Sequence, residues 1–344
     1  MKPPSPSTIS STVTSVFKPR LEFPKYNVTK SNFLGHHRVA LQRMRALSQD
    51  VDLLVEVRDA RAPLSTRNGL FSRVFSQNTP RVVLYSKRDL SPLTQAQVDA
   101  WHPERNGVLV DCNSMGDVRK VLRVAKALAN RMDPPPPLGA KILVAGMPNV
   151  GKSTFLNNLR TAGTSIKTKA AQTGGLAGVT RGISNEIRIS SNPSIFIYDT
   201  PGVFVPYVSD EKAMVALAIT GAMRTSIIDP IIQADYLLYR LNLQSPDGKF
   251  YSEYLSRPTN NVRELLNAVW IKKLKPKQKG GGFNEVGAAA LWVDRWRQGY
   301  EGKVMLDNID KYADGTRIQE ALLDNFDMDF EEESKRWKKK DVFQ

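Results

Sequence analysis

The sequence predicts an α/β protein in which a doubly wound sheet is followed by a mainly helical second domain, and three observations carry that expectation. Short apolar runs, RVVLYS, NGVLVD, KILVA and SIFIYD, alternate with polar and helix-like segments in the first part of the chain, the rhythm of parallel strands joined by crossovers. One run leads straight into the glycine-rich turn GMPNVGKST, followed by the helix-like STFLNNLR. Later the pattern changes to VSDEKAMVALAITGAM, IIDPIIQADYLLYRL, VRELLNAVWIKKL and EVGAAALWVDRWRQG, all with helical spacing.

The glycine-rich turn fits G-x-x-x-x-G-K-[ST], with Gly146, Gly151, Lys152 and Ser153 in the defining places. Backbone N–H groups along Asn149, Val150, Gly151, Lys152, Ser153 and Thr154 would wrap a β-phosphate. Lys152 would reach the β- and γ-phosphates, and the Ser153 hydroxyl would ligate Mg²⁺ at the mouth of the helix. A loop rich in Gly, Thr and Lys follows, TKAAQTGGLAGVTRG, carrying Thr180 as a second Mg²⁺ ligand. Two strand-like runs come next, ISNEIRI and SIFIYDTPG, and the second ends in D-x-x-G at Asp199 and Gly202. There a carboxylate can hold the metal through water and a glycine N–H can meet the γ-phosphate. These parts in this order mark a P-loop GTPase.

Such a protein must also read guanine, and nothing after Gly202 does so. The missing element lies upstream, where RVVLYSKRDL runs from an apolar strand into Ser86, Lys87 and Asp89, similar to the specificity motif N-K-x-D. Asp89 can accept from guanine N1–H and the exocyclic amine together, whereas adenine offers an acceptor at N1. The Lys87 stem can lie over the base. Taken alone, S-K-R-D is an exposed charged turn; at a strand end, ahead of a phosphate loop, it is a base reader. A further strand, NGVLVDCNS, ends at Cys112, Asn113 and Ser114. The base-reading elements thus precede the phosphate-reading ones, an order that requires circular permutation. The permutation is physically acceptable because all these loops sit at the carboxyl ends of parallel strands, and cutting the chain elsewhere leaves that edge intact.

Two further stretches resemble a known family. VEVRDARAPLSTRN, with Asp59, Arg61, Pro63 and Arg67, looks like the D-A-R-x-P segment of the YlqF-type ribosome-assembly GTPases, and NFLGHHRVALQRMR looks like their N-terminal G-H-M helix. The likeness runs from about Asn32 to Phe204 and continues weakly to about Asp307; with the N-terminal leader it points to a mitochondrial branch. The resemblance implies GTP and GDP as ligands, Mg²⁺ as cofactor, and rRNA and proteins of a large ribosomal subunit as partners. It also implies that a backbone N–H at Cys112–Asn113 meets guanine O6, and that a histidine at the place of His36 approaches the γ-phosphate.

Departures from the pattern matter too. Ser86 stands where Asn is usual, losing an amide that would donate to guanine N7 and brace the phosphate loop. Asn113 stands where Ala is usual. Val203, next after DTPG, cannot orient an attacking water as glutamine does in many GTPases. Two candidates could replace it: His36 as a near-neutral imidazole, or Asn149 as a ligand of a K⁺ ion that supplies positive charge. The plainer alternatives are a basic helix face for His36 and His37 and a loop-forming role for Asn149. Lys152, Thr180, His36 and Asn149 are the expected hydrolytic residues.

Composition sets the frame. Lys and Arg number 49 against 34 Asp and Glu, a formal charge of +15, which favours nucleic acid as partner, with an anionic membrane surface as competitor. The single cysteine, Cys112, excludes an internal disulfide framework. No apolar run approaches the roughly 18 residues needed to span a bilayer, so membrane contact is expected to be peripheral. Residues 1–27 read as a transit-peptide-like leader or a disordered tail, 28–208 as the permuted GTPase domain, 209–335 as a helical RNA-binding domain and 336–344 as a basic tail. The proline run around residues 133–137 reads as a hinge between halves. KKLKPKQKGGG and RWRQG set cations beside Trp292 and Trp296, suited to RNA or, for the tryptophans, to a core. The expected function is a monomeric GTP-hydrolysing switch in assembly of the mitochondrial large ribosomal subunit, in the matrix. The alternative is a slowly hydrolysing, nucleotide-stabilised scaffold at the inner-membrane surface.

Overall fold

In the computed structural model, residues 17–76, 78–164, 186–274 and 282–309 are described. Six strands form one sheet in the order β3-β2-β1-β4-β6-β5: β1 (Leu53–Asp59), β2 (Arg81–Ser86), β3 (Gly107–Leu109), β4 (Ala140–Gly146), β5 (Ile187–Ser191) and β6 (Ser194–Asp199). All pairs are parallel except the edge pair β5–β6. The central strands are apolar on both faces, as a sheet covered on both sides requires. Leu53, Val55, Val57, Ile142 and Val144 pack under α4 (Met115–Asn130) and α5 (Lys152–Thr164). Leu54, Leu143 and Tyr198 pack under α1 (Gly35–Leu47) and α2 (Phe71–Val74), while Val83 and Tyr85 meet α3 (Gln95–Trp101).

The proline connector is not a hinge. It leads from α4 into β4, and β4 pairs with β1 from Leu53↔Ile142 to Val57↔Gly146, so the segments before and after it form one continuous sheet. Strand-pairing hydrogen bonds and a shared core resist opening along that line.

The helical region comprises α6 (Glu211–Thr220), α7 (Pro230–Gln244), α8 (Val262–Val269) and α9 (Glu285–Arg297). Asp229, Asn261 and Asn284 cap α7, α8 and α9 through side-chain oxygens on the first free N–H groups. Trp292 and Trp296 are fully buried; of the two roles open to them they take the core one, and neither is available to stack an RNA base. Residues 17–27, which the sequence places in a leader, are built into this region. Arg20 pairs with Asp235 at 2.7 Å, Phe23 sits against Tyr236 and Tyr239, and further on the Val208 N–H donates to the Lys30 carbonyl. Among the described residues no helix is long and apolar enough to cross a membrane.

Candidate nucleotide site

The carboxyl ends of β1, β2, β4 and β6 bring the sequence-predicted residues to one edge. Beyond β4 the loop turns tightly: Asn149 adopts a left-handed backbone (φ 56°), and the Lys152 side chain, almost fully buried, folds back so that Nζ donates to the Met147 carbonyl at 2.7 Å. Burial pulls the Lys152 ammonium down to about 8, partly offset by Asp199. A buried ammonium resting on a backbone carbonyl, with no salt bridge among the described residues, is what a phosphate chain would neutralise. The D-x-x-G glycine lies hard against this loop, since a Cβ on Gly202 would stand 2.5 Å from Pro148 Cα; only glycine allows that approach.

Ser153 Oγ and the Asp199 carboxylate meet at 3.2 Å. Asp199 is buried, and burial pushes its carboxyl up, against the pull of Lys152 and the Ser153 hydrogen bond. A hydroxyl and a carboxylate side by side form an all-oxygen donor set suited to a small hard cation such as Mg²⁺, whose chemistry is to neutralise charge on β- and γ-phosphate oxygens. Thr180, the second expected ligand, lies outside the described residues.

The base-reading side is assembled by β2 and β3. Asp89 is exposed in a short 3₁₀ turn and makes no hydrogen bond or ion pair with the described residues, so its carboxylate faces outward. Lys87, left-handed at φ 57°, does more than cover a base: its Nζ donates to the Asn149 carbonyl at 2.9 Å and to Asp59 at 2.7 Å. Ser86 keeps one of the two functions expected of an asparagine. Its Oγ lies 2.5 Å from the Val150 carbonyl, bracing the phosphate loop, but it is too short and too buried to reach a base as well. Asn113 departs from expectation, because its N–H is taken by the Asp111 carboxylate at 2.8 Å and is not offered to guanine O6. Cys112 is buried, and burial pushes its thiol up to about 12; its carbonyl is fixed by Asn158.

Asp89→Asn is expected to move preference from guanine toward xanthine, whose C2 carbonyl pairs with an amide donor. GTP affinity falls by roughly 10- to 100-fold as charge-assisted hydrogen bonds are lost. Competition of GTP and XTP for a fluorescent nucleotide measures it, and unchanged GTP preference removes Asp89 from the base site.

Sequence reasoning did not see how much hangs on Asp59. At the end of β1, fully buried, it pairs with Arg61 at 2.8 Å and with Lys87. Burial alone would raise its carboxyl, yet Arg61 and Lys87 hold it well below the usual carboxylate range. Arg61 in turn lies over the Trp296 ring at 4.8 Å and donates to the Arg297 carbonyl. Arg297 donates to the Ile219 and Ala218 carbonyls at the end of α6, and the Asn149 amide donates to the Gly221 carbonyl just beyond, at 2.8 Å. The only signal in the sequence was the D-A-R run itself. Asp59→Ala leaves the buried Arg61 and the partly buried Lys87 without their counter-charge and is expected to cost about 3 kcal/mol of stability, measured by denaturant unfolding; a loss under about 1 kcal/mol would show that water replaces the carboxylate.

Around the hydrolytic position the structure divides the candidates. His36 is exposed and its ring centroid lies 4.1 Å from that of His37. His37 is buried, not part of an exposed basic face, with burial, His36 and Lys152 depressing its imidazole to about 4. The His37 ring stacks 6.5 Å from that of Phe204, two residues beyond Gly202, which sets the start of α1 beside the segment that follows D-x-x-G. Val203 points away into the core beside Leu143 and Tyr198.

Base-reading and phosphate-reading loops thus share one sheet edge although the chain reaches them in reversed order, and the molecule is a circularly permuted P-loop GTPase, hydrolysing GTP to GDP and phosphate. Residues 141–269 match the family described as 50S ribosome-binding GTPase. The chain is 36% identical to Mitochondrial GTPase 1 of Saccharomyces cerevisiae over 92% of each chain, and 33% identical to Mitochondrial ribosome-associated GTPase 1 of Xenopus tropicalis over 80% of this chain and 93% of that one. Among solved structures, GNP-bound YlqF from T. maritima superposes with a TM-score of 0.51 at 20% identity, covering 78% of this chain and 97% of that one, a likeness of fold. The chain belongs to the mitochondrial GTPase 1 family.

Proposed function

We propose that this GTPase acts in mitochondria as a nucleotide-controlled switch in assembly of the large ribosomal subunit, docking on its rRNA and leaving on hydrolysis. The observation that supports this reading is the chain of contacts from both nucleotide loops into the helical region: Lys87–Asp59–Arg61–Trp296 on the base side, and Asn149–Gly221 on the phosphate side. A nucleotide that shifts either loop works directly on α6 and α9, so a partner gripping the helical region senses the nucleotide state. The excess of cations favours RNA, and a relative carries ribosome association in its name. In this reading Ser153, Thr180 and Asp199 serve Mg²⁺, Asn149 serves K⁺, His36 serves hydrolysis, and the protein works in the matrix as a monomer.

The expected result is that purified mitochondrial large subunits raise GTP turnover at least tenfold, while small subunits do not. Equal turnover with and without large subunits would instead leave a nucleotide-stabilised scaffold, with co-sedimentation on inner-membrane vesicles as its positive sign.

A further inference from the structure

We infer that α4 is a second RNA-docking surface, in which a stripe of cations on the GTPase domain itself, beginning beside the base-reading loop, takes the phosphodiester backbone of RNA. This rests on the reading that the protein works on RNA, and it adds a surface outside the helical region. Helix α4 starts at its N-cap Ser114, directly after Asn113. Its apolar side, Val118, Val121, Leu122, Ala125 and Ala129, is buried against the sheet. Arg119, Arg123 and Lys126 fall within an arc of about 60° at about 100° per residue. These three cations run along about 10 Å of helix, while Lys120 and Arg131 lie about 100° and about 120° around the axis from Arg119 and flank the stripe.

The stripe is unneutralised. The one acid of the helix, Asp117, is buried and already held by Arg88 at 2.9 Å and Lys120 at 3.6 Å. Arg119, Arg123, Lys126 and Arg131 make no ion pair with the described residues. By contrast, Arg257, Lys272 and Lys273 of the helical region are matched by Glu264 and Glu253. On α1 two arginines, Arg38 and Arg45, share a face, while Arg43 lies about 140° from Arg38, so that helix sets fewer cations in a row than α4.

Charge complementarity points to a polyanion, and the composition of the exposed face separates RNA from a lipid surface. A helix that lies in a membrane inserts bulky apolar side chains from its exposed face. On α4 those side chains face the sheet, and the large apolar one exposed is Val124, at 42%. A row of guanidinium and ammonium groups with a single small apolar neighbour suits phosphates that stay in water.

The test replaces Arg119, Arg123 and Lys126 together by Gln in the full chain, with Lys25, Lys249 and Lys303 replaced by Gln as a charge-matched control. Fluorescent GDP binding reports that the fold is intact, because none of these residues touches the nucleotide loops. Binding to mitochondrial large-subunit rRNA is then measured across salt concentrations. The expected result is a fall of about 10- to 100-fold in affinity at 0.15 M salt and a log–log salt slope shallower by about 2–3 for the α4 triple, with a markedly smaller change in the control. An undiminished affinity, or an equal loss in the control, overturns the α4 surface while leaving the proposed function standing. Loss of binding to phosphatidylcholine–cardiolipin vesicles with RNA binding retained also overturns it, in favour of a membrane face. No RNA binding by the parent protein overturns both.

Discussion

Lys152→Ala is expected to lower GTP turnover by roughly 10³-fold or more, because the lost ammonium is the point charge that meets developing negative charge on the β- and γ-phosphates in a water-poor loop. Nucleotide retention weakens as well, since the interaction exists in the ground state. Stability provides the control. Lys152 is buried with no salt bridge to a carboxylate among the described residues, and its Nζ rests on the Met147 carbonyl. Removing it relieves the ammonium's own desolvation cost but also withdraws the cation that favours the buried Asp199 carboxylate, so the two effects offset and thermal unfolding of the free protein should move little. Lys152→Arg is not expected to rescue, because a planar fork does not fit a loop shaped around a single point donor. Turnover at the parent rate in Lys152→Ala would remove this loop from the reaction.

The second large effect concerns water activation. His36→Ala is expected to lower kcat by roughly 10²–10⁴ with little change in nucleotide affinity, the range for a positioned acid–base group. The geometry that supports this is local. His37 is held beside it, its Nδ1 accepting the Leu34 N–H at 3.1 Å, which fixes the start of α1 while the neighbouring His36 ring stays exposed. His37→Ala is a different experiment, because that ring is buried against Phe33 and Phe204 and its loss disturbs packing. K⁺ supplies the competing account. If a K⁺ ion contributes the positive charge, exchange for Na⁺ at constant ionic strength slows hydrolysis and Asn149→Ala erases the difference. The hydrogen bond from Asn149 to Gly221 gives that variant a second readout, weaker coupling of turnover to large subunits. Should neither substitution nor cation exchange alter subunit-stimulated turnover, the activating group comes from the ribosome.

Much of the nucleotide site was legible in the sequence because phosphate and guanine recognition rest on local backbone chemistry. A glycine-rich turn between a strand and a helix, a carboxylate at the end of β6 and a carboxylate after β2 each declare themselves within ten residues or so of chain, and their reversed order alone implied permutation. Those signals need no knowledge of neighbours. What lay hidden depends on contacts between residues far apart in sequence. Asp59 gave no sign that it holds Lys87 on one side and, through Arg61, the ring of Trp296 on the other. That Ser86 retains the phosphate-loop brace depends on Val150, 64 residues along the chain, whereas the Asn113 N–H spent on Asp111 two residues earlier is a local turn that the motif alone does not encode. The choice between core and RNA for Trp292 and Trp296 was likewise open until packing closed it.

By itself the sequence determined which chemistry this protein can perform: apolar runs of strand length set a parallel sheet, and short-range motifs at the strand ends set a guanine-nucleotide site on its carboxyl edge. Only the tertiary structure decided how that site is wired. Strand pairing turned an apparent proline hinge into a link within one sheet, folding of residues 17–30 onto the helical region made them part of the body, and burial selected His37 for support and left His36 exposed. The physical reason is range. Turn geometry and hydrophobic period are set by neighbours along the chain, whereas charge pairing, ring stacking and burial depend on which distant segments the collapsed core brings within a few ångströms.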